Sequence, residues 1–200
     1  MKSNILSSSI VLMLVASAIV TSAQAQDVKS WSTAGSTGTA DKADLNKIVY
    51  SNGIVAFTEI QGTQLTAGRV SRLQLQTVQA VIRYNVTATD GLFFDSGPLC
   101  MVVRFRDNGN RARVFLRLLK LNLEDGTTTT VLTFDSNSFA PQADFQANTV
   151  ATTGRAPFDF SHNAYYVEAT LTKQQPIATS IGAGRPALAV VVLKQCSPIT

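Results

Sequence analysis

The stretch from Met101 to Leu118 constrains the fold more than any other part of the chain. Met101-Val102-Val103-Arg104-Phe105-Arg106 alternates apolar and polar, Asp107-Asn108-Gly109-Asn110 is made of turn formers, and Arg111 to Leu118 alternates again. A period of two is the signature of a half-buried strand, so this is a strand–turn–strand unit. Read as a flat hairpin with a four-residue loop, it sets Arg106 against Arg111, Arg104 against Arg113 and Val102 against Phe115. The other face then pairs Phe105 with Ala112, Val103 with Val114 and Met101 with Leu116. One face is apolar throughout and needs a second layer to cover it. The other places arginine opposite arginine, which costs free energy unless an anion lies nearby.

The N-terminus reads as a targeting segment. Lys2 supplies the positive region and Ile10 to Val20 the apolar region, and Ala23-Gln24-Ala25 fits the small-x-small cleavage rule. Residues 1–25 are therefore expected to be a bacterial-type signal peptide. Cleavage following Ala25 would send the mature chain to the periplasm or outside the cell. The apolar run is too short for an anchor, so no membrane span is expected in the mature chain. An outer-membrane barrel is disfavoured as well, because most apolar runs are shorter than barrel strands and the aromatic girdles are missing.

The mature chain, about 175 residues, is enough for one well-buried domain. Removing Lys2 from the 17 basic residues leaves 16 against 13 acidic ones, a net of +3. That mild excess points to no nucleic-acid partner. Cys100 and Cys196 are the only two cysteines. In an oxidising compartment an even pair reads first as a disulfide, here tying the first alternating strand to the end of the last one.

Residues 26–46 are rich in Ser, Thr, Gly and Ala and read as a flexible leader, with Trp31 its single large aromatic group. Residues 47–200 read as one domain of short strands separated by turns: all-β, an antiparallel β-sandwich, with a jelly-roll-like variant included. Ile48 to Tyr50 and Ile54 to Thr58 flank Asn52-Gly53. Val70 to Gln76 is a short strand, and Val78 to Val86 alternates. Leu123 to Thr127 is a hairpin loop with Gly126 in a bulge, which sets Leu118 opposite Leu132 and Leu116 opposite Phe134. Phe139 to Asp159 reads as an irregular connection, Tyr165 to Thr172 alternates, and Ala187 to Lys194 is the last strand. The expected core is Ile82, Tyr84, Val86, Met101, Val103, Phe105, Val114, Leu116, Leu118, Leu132, Phe134, Val167, Ala169 and Leu171.

Chemistry-bearing motifs are sparse. His162 is the only histidine, no nucleophile elbow accompanies it, and it reads as a loop residue with local hydrogen bonds. One histidine and a paired cysteine set leave no zinc site, and Asp107 to Asn110 is explained as a turn before it is explained as a calcium loop. No metal or cofactor is expected. Asn85-Val86-Thr87 matches a glycosylation sequon, incidental in a bacterial protein. Glu168 is the one carboxylate central to a predicted strand, a candidate catalytic group of a glycan hydrolase but more simply an ion-pair partner for arginine. The candidate ligand face is Arg104, Arg106, Arg111, Arg113, Phe115 and Arg117, with Tyr166 as a further stacking plane. These features point to a secreted, non-enzymatic binding or surface-structural protein. Its partner class would be an anionic polysaccharide or another cell-surface component. The alternatives are the hydrolase, and a self-assembling filament or adhesin subunit in which the leader or residues 47–58 add a strand to a neighbouring copy.

Overall fold

A computed structural model describes residues 30–58, 75–87, 97–109, 111–155, 158–176 and 185–196. The expected signal peptide and most of the strand expected at 70–76 lie outside the described residues. The strands are β1 (Ser30–Ala34), β2 (Thr39–Ala40), β3 (Ile48–Ser51), β4 (Ile54–Phe57), β5 (Leu75–Val86), β6 (Pro98–Asp107), β7 (Ala112–Asn122), β8 (Thr128–Asp135), β9 (Gln142–Arg155), β10 (Asn163–Pro176) and β11 (Ala187–Gln195). They form two antiparallel sheets. Sheet A runs β3-β4-β11-β6-β9, with β1 also on β11, and sheet B runs β2-β5-β10-β7-β8. From β5 onward the chain crosses between sheets at every step except β7 to β8, the alternation of a jelly-roll-like sandwich.

Each predicted core residue is buried between the sheets. The period-two pattern explains this, because one face of β5, β6, β7 and β10 is dominated by apolar side chains. Val191 and Leu193 share the inward face of β11 with Leu188, resolving an apolar run whose facing the sequence left open. On β7 and β8 Leu118 is opposite Leu132 and Leu116 opposite Phe134, as expected, while a shift between Leu118 and Leu119 sets Leu119 opposite Thr130 nearer the loop, where Gly126 takes φ +72°. Asn52 and Gly53, with φ of +48° and +81°, close the β3–β4 hairpin.

The Met101–Leu118 unit departs from the flat hairpin. Its two arms, β6 and β7, belong to different sheets. The chain turns a corner at Asp107, a buried residue whose Oδ1 accepts from Gly109 N at 3.1 Å and whose Oδ2 accepts from the Ser136 hydroxyl. Ser136 Oγ in turn accepts from Val114 N at 2.8 Å, so one small network ties the ends of β6 and β8 to the start of β7. The physical gain is clear. The corner lets the two apolar faces of the ribbon cover each other, and it moves Arg104 and Arg113 to opposite outer surfaces. The expected arginine pairs do not form.

The leader expectation is also corrected for its described part, residues 30–46. β1 lies along β11, Trp31 opposite Leu193 and only 7% exposed, and β2 pairs with β5. Between them the chain passes from sheet A to sheet B through Gly35. A Cβ on Gly35 would stand 2.0 Å from Leu188 O, so no side chain fits there, and the Tyr84 hydroxyl donates to Gly35 O at 2.8 Å. Where β2 ends, Asp44 Oδ2 accepts from Val81 N at 2.9 Å and Lys47 Nζ donates to Gln79 O at 3.1 Å, capping the exposed edge of β5. A second correction concerns Phe139 to Asp159. It contains β9, a 14-residue edge strand whose Gln, Asn, Thr and Ala side chains lack the apolar alternation that marks a buried strand.

Candidate functional site

The outer face of sheet B gathers Glu168 with three of the candidate residues, Arg113, Phe115 and Arg117. The alternation that buries Val167 and Ala169 turns Tyr166, Glu168 and Thr170 outward on the central strand β10. In register with Glu168 stand Arg83 on β5 and Arg117 on β7. Glu168 Oε1 accepts from Arg117 Nη2 at 2.5 Å, and Oε2 accepts from Arg83 Nε at 3.0 Å. Arg83 Nη1 also donates to Asp41 Oδ1 at 2.8 Å, extending the row across the sheet. Burial opposes the Arg83 charge, yet Asp41 and Glu168 outweigh it and raise its pKa. Glu168 is only 8% exposed, whereas the two guanidinium side chains are 42% and 44% exposed and reach solvent.

A neighbouring pair stands on β7 and β8. Arg113 donates through Nε and Nη2 to the two carboxylate oxygens of Asp135, at 2.9 and 2.6 Å. Its guanidinium carbon also lies 4.6 Å from the centre of the Phe115 ring. The Arg113 hydrogen bonds hold the Asp135 carboxyl below its ordinary pKa against an opposing effect of burial. Phe115 is opposite Thr170 and Tyr166 is opposite Leu119, so the two rings flank the Glu168–Arg117 pair. At ~3.3 Å per residue the four positions from Thr170 to Tyr166 span roughly 13 Å along β10. At the β2 edge of the same face, Thr33, Thr37, Thr39, Arg83, Tyr84 and Asn85 line an open depression of about 350 Å³.

The predicted ligand set is therefore divided. Arg113, Phe115 and Arg117 stay together on sheet B, joined by Arg83 and Tyr166. Arg104 and Arg106 face outward from sheet A, where Arg106 Nε donates to Arg185 O at 3.3 Å and its guanidinium carbon lies 5.3 Å from the Phe145 ring centre. Arg111 is exposed in the corner between the sheets. The candidate set omitted Arg83. Its signal was its place in the alternating Val78–Val86 strand, but only the pairing of β5 with β10 brings it to Glu168.

Both oxygens of Glu168 are engaged by guanidinium groups, the arrangement of an anion that neutralises a row of cations. His162 lies in an exposed loop. Its Nδ1 is 2.9 Å from Asp159 Oδ2 and 2.9 Å from Ser161 Oγ. A proton relay needs serine and aspartate on opposite ring nitrogens, and here both meet the same one. The Ser161 hydroxyl and His162 hold the Asp159 carboxyl down to about 2. Among the described residues no group of three or more His, Cys, Asp or Glu is placed to hold a metal ion, and no helix is long and apolar enough to cross a membrane. Cys100 and Cys196 form a disulfide with Cα atoms 5.1 Å apart.

No family model and no curated protein matches the chain. Solved structures with a similar arrangement include TmCBM61 in complex with β-1,4-galactotriose, with TM-score 0.33 and 6% identity over 83% of this chain and 88% of that one. They also include the family 11 carbohydrate-binding module from Clostridium thermocellum in complex with a β-1,3-1,4-mixed-linked tetrasaccharide, with TM-score 0.34 and 13% identity over 84% and 88%. A third is the xylan-binding module CBM15, with TM-score 0.32 and 12% identity over 72% and 97%.

Proposed function

We propose that this chain is a secreted, non-catalytic glycan-binding protein whose ligand lies across the outer face of sheet B. One observation carries the reading: Phe115 and Tyr166 flank a row of guanidinium groups held in place by carboxylates, on the central strands of the sheet. Planar rings stack on the apolar faces of sugar rings, while the unengaged guanidinium hydrogens donate to hydroxyls. The charge balance selects the ligand class. Arg83, Arg113 and Arg117 each contact a carboxylate, so this face suits a neutral oligosaccharide rather than a polyanion. The expected length is several sugar units, because the ligand must span both rings.

Affinity electrophoresis through gels containing β-1,4-xylan, mixed-linkage β-glucan or β-1,4-galactan tests the reading. At least one polysaccharide is expected to retard the protein. Phe115→Ala and Tyr166→Ala should each abolish the retardation with the circular dichroism spectrum unchanged. Equal retardation of both variants, or none of the wild-type protein in any gel, overturns the proposal.

A further inference from the structure

We infer that the opposite surface, the outer face of sheet A, is a separate binding face that takes acidic polysaccharide. The two sheets differ in how they treat their cations. Every outward arginine of sheet B meets a carboxylate, whereas Arg104, Arg106, Arg155 and Lys194 of sheet A make no ion pair among the described residues. The strands of sheet A hold two carboxylates. Asp107 is turned inward onto Ser136, and Asp144 stands at the start of the edge strand β9.

Register places the cations in a stripe along β6. Arg104 is opposite Val190, Lys194 is opposite Cys100, and Arg155 is opposite Pro98. At ~3.3 Å per residue, Arg104 and Lys194 are separated by roughly 13 Å, and the stripe from Arg106 to Arg155 extends roughly 26 Å. Two cationic ends with half-buried Val102 and Val192 between them match an extended chain with repeating negative charge. They do not match a single compact anion.

The same face argues against the other polyanions. Its one exposed large hydrophobic residue among those described is Val49, on the far strand β3, which gives nothing to insert into a bilayer. Phe145, beside the stripe, packs against Arg106, and a single ring does not make the row of stacking planes on which successive bases of a nucleic-acid strand lie. An acidic polysaccharide needs only spaced cations and a flat, small-residue floor, which Ala147, Thr149 and Ala151 of β9 supply.

Retention on immobilised alginate, eluted with a sodium chloride gradient, tests the assignment. The wild-type protein is expected to bind and to elute with salt. Arg104→Gln with Lys194→Gln should weaken binding about three- to tenfold, while the charge-conserving Arg104→Lys retains it. Arg113→Gln with Arg117→Gln should leave retention unchanged, and so should Phe115→Ala with Tyr166→Ala, which separates this face from the neutral-glycan face of sheet B. Failure of the wild-type protein to bind alginate overturns the inference. So does equal binding to single-stranded DNA or to vesicles of equimolar phosphatidylglycerol and phosphatidylcholine, and so does a loss confined to the sheet B variants.

Discussion

Glu168 and Arg117 stand opposite each other on adjacent strands and meet at 2.5 Å across the outer face of sheet B. Arg83 reaches the same carboxylate from the other side, so one buried anion holds two cations in register. Glu168→Gln keeps the shape and removes the charge. It should destabilise the fold by about 1–2 kcal/mol, the lower part of the range for a charged hydrogen-bonded group, because both arginines can rehydrate. Urea unfolding reads the change as a lower midpoint at constant slope, and an unchanged midpoint would show that the row contributes nothing.

Gly35 is the tightest point of the passage between the sheets. Gly35→Ala forces a Cβ onto the Leu188 carbonyl and should cost about 3 kcal/mol. Gly126 offers the contrast: its φ is +72° and nothing lies within 4 Å of an added Cβ, so Gly126→Ala should cost only about 1 kcal/mol of backbone strain. Melting temperatures of the two variants should rank in that order.

The Cys100–Cys196 bridge closes a loop across 96 positions. Chain-entropy reasoning gives about 4.7 kcal/mol for so long a closure. The double Cys→Ser variant, or the wild-type protein in excess dithiothreitol, should therefore unfold at much lower urea. Coincident curves for the oxidised and reduced protein would contradict this.

Acid should unfold the protein through its paired carboxylates. Asp135 has its pKa lowered chiefly by Arg113, and Asp159 is held to about 2 by Ser161 and His162. A carboxylate with a depressed folded pKa contributes stability above its unfolded value, and this is lost as pH falls through the folded value. Stability should thus be level from neutrality to about pH 5 and decline below about pH 4. Asp135→Asn should cost about 0.5–1 kcal/mol at pH 7, since Arg113 is 41% exposed, and should flatten the acid limb. A pH series of urea midpoints shows both effects.

Lys173 is the one cation on an inward position of β10, 5% exposed, and burial lowers its pKa. Holding its charge there opposes folding at neutral pH, a cost relieved as pH rises from the lowered folded value towards the ordinary 10.5. Lys173→Met should stabilise by about 1 kcal/mol at pH 7, with the gain shrinking as pH rises from the lowered folded value towards 10.5. Loss of stability in this variant would show that the ammonium has a partner it needs.

Much of the sandwich was legible in local pattern. Alternation in Val78–Val86, Met101–Leu118 and Tyr165–Thr172 identified the inward residues, and matching of apolar faces found the pairs Leu118–Leu132 and Leu116–Phe134 but not the shift between Leu118 and Leu119. β9 escaped notice because an exposed edge strand has no buried face to write an apolar pattern. β1 and β2 escaped because a leader rich in serine and glycine is indistinguishable in composition from a strand paired through its backbone. The partnership of Glu168 with arginine was legible as a charge argument, but Arg83 was not, since its neighbour is 85 positions away.

The sequence by itself determined which side of each long strand is apolar, because that depends only on a period of two along one chain. It also determined that the arginine-rich ribbon needed a cover for one face. The tertiary structure alone decided what lay on the other side. The buried corner at Asp107 and Ser136 folds the ribbon across two sheets, so its arginines face opposite surfaces. On sheet B neighbouring strands bring carboxylates to Arg113 and Arg117, and on sheet A none of the described residues brings one to Arg104. Charge neutralisation between strands depends on long-range register, and register is written in no local stretch of the chain.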